Sequence, residues 1–272
     1  MIYLRSGLFQ LAFYASFIVQ MIIFTPIYFF LPRKTAYRIP KNWARINLWL
    51  AEKIVGISYE IQGLENLPKG GFIIAAKHQS FWDTFALIPY LRDPVYILKR
   101  ELLWIPLFGW YAAKQRMIPI NRAAKARAIP EMLARAREEM ADNRELIIYP
   151  EGTRKAPGAE PDYKYGIARL YTDLKVPVVP LVQHAGLFWP RHGFRRNPGH
   201  IVIRILKPIE PGMPGDAFFR HLVEVMEQES DRLLVETVET HPDLPLPAVT
   251  RQKLKKIETE RQQAEPAGQP AV

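Results

Sequence analysis

Between Gly7 and Leu31 the chain runs for 25 residues without a charged side chain, rich in Phe, Ile and Leu and interrupted only by Pro26. At about 1.5 Å per residue, a helix of that length reaches about 37 Å, more than the roughly 30 Å hydrocarbon core of a bilayer. The run is too long for the apolar region of a signal peptide, and Tyr28-Phe29-Phe30-Leu31-Pro32 lacks a small-residue cleavage site. It is therefore expected to anchor the chain in membrane lipid, either spanning the bilayer or inserted in one leaflet with a bend at Pro26. Arg33, Lys34, Arg38, Lys41 and Arg45 follow it, against Arg5 alone before it, so the positive-inside rule leaves the rest of the chain in the cytoplasm.

Residues 41–55 set Trp43, Ile46, Leu48, Leu50 and Ile54 among polar side chains, as in an amphipathic helix lying at the membrane interface. Residues 1–56 thus read as membrane-anchoring helices. After them, short apolar runs alternate with helical periods. Strands are expected at 57–61, 72–76, 95–98, 117–120, 146–149, 176–182 and 201–205. Helices are expected from Ser80, around Gly109 and Trp110, over 123–141, up to Leu174, and over 218–238. This alternation is that of an α/β fold, with a largely parallel central sheet of about seven strands flanked by helices over 57–241. Residues 242–272, rich in Pro, Lys, Arg and Gln, read as a basic disordered tail.

In such a sheet, ligands gather at the carboxyl ends of the strands. Lys77-His78-Gln79-Ser80-Phe81-Trp82-Asp83 directly follows the apolar run Phe72–Ala76. Ser80 followed three residues later by an acid is a helix-start pattern, which takes His78 off the strand and puts Asp83 in the first helical turn. On one continuous helix, residues five apart point about 140° from each other. From a turn, however, the imidazole can fold back onto the carboxylate. A carboxylate so placed fixes the imidazole tautomer and leaves the other nitrogen free as a base. Read structurally, Asp83 is only the acidic half of a capping box. Lys99, Arg122 and the turn Glu151-Gly152-Thr153-Arg154 also stand just past strand ends, with Lys164 close behind, and cations in that number suit a phosphate.

A net charge of +10 favours anionic partners, among which nucleic acid has no motif and is opposed by the apolar anchor. The chain has no cysteine and no Gly-x-Ser-x-Gly elbow, so a His-Asp pair here fits direct attack by a substrate hydroxyl. No metal site is expected: His184, His192 and His200 are spaced eight apart and no His-Glu-x-x-His occurs.

His78-Gln79-Ser80-Phe81-Trp82-Asp83 resembles the His, four residues, Asp motif of the glycerolipid acyltransferases. Tyr149-Pro150-Glu151-Gly152-Thr153-Arg154 resembles their Phe-Pro-Glu-Gly-Thr-Arg motif. Met117–Arg122 and Val176–Pro180 are similar to the two remaining blocks, so that four motifs stand in family order over about residues 72–182. The apolar start is similar to that of the bacterial 1-acylglycerol-3-phosphate acyltransferases. The resemblance implies transfer of an acyl group from acyl-coenzyme A or acyl-acyl carrier protein to the sn-2 hydroxyl of lysophosphatidic acid, at the cytoplasmic face of the inner membrane, without a cofactor. It further implies His78 as general base, Asp83 as its orienting partner, Arg122, Arg154 and Lys99 on the phosphate, and Glu151 and Gly152 shaping the acceptor pocket. Lys77 departs from the pattern, since many members have Asn before the His. A different lysolipid acceptor, or a non-catalytic basic module that grips anionic lipid, is the competing reading.

Overall fold

The run Phe72–Ala76 is buried at every position because it lies at the centre of a sheet covered on both faces. The structure, a computed structural model, describes residues 1–264. Its strands are β1 (Ile57–Gln62), β2 (Phe72–Ala76), β3 (Pro94–Lys99), β4 (Ile118–Ile120), β5 (Glu145–Ile148), β6 (Val178–Gln183) and β7 (Gly199–Ile205), in spatial order β1-β7-β6-β2-β5-β3-β4. β6, β2, β5, β3 and β4 run parallel, and only the β6–β7 pairing is antiparallel, with β1 parallel to β7 at the edge. The helices are α1 (Ile2–Tyr28), α2 (Arg33–Ala36), α3 (Arg38–Leu50), α4 (Asp83–Ala86), α5 (Phe108–Lys114), α6 (Ile129–Ala141), α7 (Gly166–Leu174), α8 (Ala185–Phe188), α9 (Gly215–Thr240) and α10 (Ala248–Ala264). The expected amphipathic helix is α3, which runs on as a π turn over Ala51–Val55 and stops at Gly56, where φ is +74°.

Alternate side chains of β2 enter two different cores, as the period of a strand requires. Ile73 and Ala75 meet Met132 of α6, Leu170 of α7, and Phe218, Leu222 and Met226 of α9. Phe72, Ile74 and Ala76 belong to a second cluster with Trp82, Phe85, Trp43 and, from α1, Phe9 and Phe13. The apolar N-terminal helix is thus packed over one face of the sheet. The Phe13 ring lies 5.3 to 5.9 Å, centroid to centroid, from Trp43, Phe81, Phe85 and Trp189. At the far end Tyr28 stacks on Tyr111 of α5 at 3.8 Å, and its hydroxyl accepts from Gln115 Nε2 at 2.7 Å. Leu4, Leu8, Leu11, Ile18 and Ile22 of the same helix are exposed.

The tail departs from the expected disorder. α10 forms because residues at helical spacing find partners: the Thr250 hydroxyl, fully buried, donates to Pro157 O at 2.7 Å, Lys253 pairs with Asp231 of α9 at 2.7 Å, and Leu254 packs against the cluster that holds α1. Composition alone, polar and basic, hides this docking face. The last eight positions of the tail lie outside the described residues.

Because Phe9 is fully buried, Phe9→Ala should destabilise the protein by about 3–5 kcal/mol, whereas Leu11→Ala, at an exposed position of the same helix, should be near neutral. Chemical denaturation in detergent micelles checks the contrast.

Candidate active site

β2 ends at Ala76 and the next residues turn sharply, so that His78 and Asp83 meet: His78 Nδ1 lies 2.8 Å from Asp83 Oδ1. The second oxygen, Oδ2, accepts the backbone N–H groups of Gln79 and Ser80, each at 2.8 Å, and Gln183 Nε2 at 3.1 Å. Ser80 Oγ in turn accepts from Trp82 N at 3.1 Å. The Ser80 hydroxyl thus takes the N–H two residues on, not three as the expected capping box requires, and regular helix, with Trp82 at its N-cap, begins only at Asp83 and lasts one turn. A carboxylate oxygen only accepts, so Nδ1 carries the proton and Nε2 of the neutral ring keeps its lone pair. The ring is further fixed by stacking on Tyr149, 4.1 Å between centroids, while the Tyr149 hydroxyl donates to Asp83 O at 3.0 Å. His78 keeps 14% of its side chain exposed against 5% for Asp83, so the imidazole is the more accessible of the two.

β2, β5, β3 and β4 are consecutive and parallel, so His78, the 151–154 turn, Lys99 and Arg122 emerge at one edge of the sheet. At about 4.8 Å between strands, Arg154 starts about one spacing from His78, Lys99 about two and Arg122 about three. Arg122 is exposed, and Lys99 is half exposed with Glu101 Oε1 at 3.7 Å. Arg154 and Thr153 are partly exposed, and the backbone carbonyl of Arg154 accepts from Arg191 Nη1 at 2.8 Å. The turn that carries them closes through Gly152, at φ +67°, whose N–H donates to Tyr149 O at 2.9 Å. An L-residue there costs roughly 1–2 kcal/mol for its backbone alone.

Two expected site residues are placed otherwise. The Lys164 ammonium points to solvent and is held by Asp162 Oδ1 at 2.5 Å, and its backbone N–H is what reaches the turn, donating to Pro150 O at 2.8 Å. The Glu151 carboxylate is turned inward, 1% exposed, onto Lys77 Nζ at 3.1 Å. Burial pushes the Glu151 carboxyl up from its usual range, against the pull of the Lys77 ammonium. Lys77 bonds Glu227 Oε1 of α9 at 2.8 Å as well, so the cation next to His78 points away from the cleft.

Sequence reasoning missed four supporting residues. Gln183 and His184 end β6, and a polar pair closing an apolar strand was a usable signal. His184 Nε2 donates to Ser230 O at 2.7 Å and Nδ1 accepts from Gln79 Nε2 at 3.2 Å, bracing the His78–Asp83 turn against α9. Tyr149 stood inside a recognised motif. Glu227, in a long amphipathic helix 150 residues from Lys77, gave no signal.

A family model described as Acyltransferase matches residues 58–184. A 1-acyl-sn-glycerol-3-phosphate acyltransferase of Pseudomonas aeruginosa is 33% identical over 236 residues, covering 86% of this chain and 90% of that one. The chain belongs to the 1-acyl-sn-glycerol-3-phosphate acyltransferase family. A family member from Limnanthes alba is 33% identical over 165 residues, 60% of this chain and 57% of its own length. The crystal structure of the 1-acyl-sn-glycerophosphate (LPA) acyltransferase PlsC from Thermotoga maritima superposes with a TM-score of 0.68 over 86% of this chain and 99% of that one, at 23% identity, and so shares the fold.

Burial lowers the pKa of His184 to about 4, so it is neutral when folded and protonates near 6.5 when unfolded. The unfolded state binds the extra proton between these values, so stability should fall by about 3 kcal/mol as pH drops from about 6.5 to 4. Urea midpoints across that range check this, and His184→Gln should remove that part of the slope.

Proposed function

We propose that this acyltransferase moves a fatty acyl group from an acyl thioester, acyl-coenzyme A or acyl-acyl carrier protein, to the sn-2 hydroxyl of 1-acyl-glycerol-3-phosphate, forming phosphatidic acid. The observation that carries the reading is the His78–Asp83 pair with Nδ1 occupied and Nε2 free, in a chain without a cysteine nucleophile. His78 Nε2 accepts the hydroxyl proton as the sn-2 oxygen bonds to the thioester carbonyl carbon. The resulting tetrahedral adduct expels the thiolate, and the His78 imidazolium returns the proton to that sulfur. Asp83 holds the ring and stabilises the transient imidazolium. Arg154, Thr153, Lys99 and Arg122 receive the acceptor's phosphate, and Gly152 supplies the turn that presents them.

The membrane seating follows from α1. Arg196 N donates to Ser6 Oγ near one end of the helix, and Gln115 Nε2 bonds Tyr28 at the other. These anchors are 22 residues, about 33 Å, apart along the helix. A domain fastened at both ends of a helix cannot sit on one side of a bilayer which that helix crosses. α1 therefore lies within one leaflet, its exposed Leu and Ile face among the acyl chains, and Trp104 and Trp110, also exposed, sit at headgroup depth. In this reading residues 1–56 seat the catalytic unit 57–241 on the cytoplasmic face of the inner membrane, where a lysolipid reaches the site laterally.

The test is an acyl-transfer assay offering lysophosphatidic acid beside neutral-headgroup lysolipids, with each carrier. Lysophosphatidic acid should be preferred, and acylation of the neutral lipids alone would contradict the acceptor. His78→Ala should lower kcat by about 10²–10⁴-fold, and Arg154→Ala should raise KM for the acceptor by about 10- to 100-fold with kcat little changed.

A further inference from the structure

Glu227 lies on α9, outside the four motifs, and its Oε1 grips both flanks of the 150–154 turn. On one side it accepts from Lys77 Nζ at 2.8 Å, and the same ammonium lies 3.1 Å from Glu151 Oε1. On the other it accepts from the Tyr163 hydroxyl at 2.8 Å, and the N–H of the next residue, Lys164, donates to Pro150 O at 2.8 Å. Lys77 also sits over the Tyr163 ring, 5.2 Å from its centroid, so the two arms touch. The Lys77 and Glu151 side chains are 6% and 1% exposed, which leaves the attraction between them little screened. Among the described residues Glu151 Oε2 is buried without a hydrogen-bond partner, so the Lys77 contact alone holds that carboxylate.

The anchor itself is rigid. Met226, next to Glu227, is fully buried in the core beneath the sheet, and Ser230 one turn on accepts from His184. The turn it holds has a positive φ at Gly152 and open space around that residue, so its own side chains give it little support.

We propose that Glu227 is a positioning residue for acceptor binding: through Lys77 and Tyr163 it fixes Glu151 and Pro150, and with them the turn that presents Thr153 and Arg154 to the phosphate. The His78 ring is held by Asp83 and by stacking on Tyr149, and Glu227 is hydrogen-bonded to none of the three. Loosening the anchor therefore weakens binding of the phosphate and leaves proton transfer intact. The proposal rests on the acceptor reading given above.

The experiment compares Glu227→Leu, Glu227→Gln and Tyr163→Phe for kcat and for KM toward lysophosphatidic acid, with titration of glycerol 3-phosphate, the acceptor's soluble headgroup, as a direct binding readout. Glu227→Leu should raise KM and weaken headgroup binding at least tenfold, with kcat within threefold of wild type. Glu227→Gln keeps an oxygen that accepts from both Lys77 and Tyr163, and should restore both values to within threefold of wild type. Tyr163→Phe removes one arm only and should raise KM by threefold or more, which keeps the test open if Glu227→Leu does not fold. Unchanged KM in both Glu227→Leu and Tyr163→Phe, or a fall in kcat at constant KM, overturns the proposal. A wild-type enzyme that neither acylates lysophosphatidic acid nor binds glycerol 3-phosphate removes the acceptor reading itself, a result distinct from any difference among the variants.

Discussion

The Asp83 carboxylate divides its two oxygens between chemistry and folding, and the rest of the site depends on that division. Oδ1 takes His78 Nδ1, while Oδ2 collects two backbone N–H groups and the Gln183 amide. The three donors on Oδ2 fix the carboxylate before it meets the imidazole, so the ring is aimed by a group that is itself immobile. One side chain both fixes the turn and meets the imidazole, because a carboxylate has lone pairs enough for backbone N–H groups and a histidine.

The same economy of parts is seen in α1. An apolar helix of 27 residues could cross a bilayer on length and composition. Its Phe9 and Phe13 instead complete one of the two cores that cover the sheet, the core that also holds Trp82 and Phe85 beside the catalytic turn. The apolar helix therefore packs against the segment that carries His78 and Asp83. Phe13 touches Phe81 and Phe85, on either side of Asp83. The apolar helix and the His78–Asp83 turn are in this way joined by one layer of aromatic side chains.

Much of this was legible in the sequence. The strands of a parallel sheet buried on both faces are continuous apolar runs, so β2, β5 and β6 were read to within two residues, and the strand-end rule put His78, Arg154, Lys99 and Arg122 at one edge. Direction and distance were not legible. Sequence cannot say that Lys77 turns away from His78 toward a helix 150 residues on, nor that Glu151 follows it inward, because both depend on a carboxylate brought in by tertiary packing. The direction of the Lys164 ammonium is set locally, by its neighbour Asp162. The tail was misread because its charges are conspicuous, whereas Thr250 and Leu254, which dock it, are unremarkable in composition.

The central claim is that His78 activates the acceptor hydroxyl directly, with no acyl group resting on the protein. Mixing the enzyme with the acyl thioester alone, and following thiol release together with the intact mass of the protein, tests it most directly. The account predicts no stoichiometric burst of thiol and no added acyl mass until lysophosphatidic acid is supplied. One equivalent of thiol released without acceptor, together with a protein heavier by one acyl group, would contradict it.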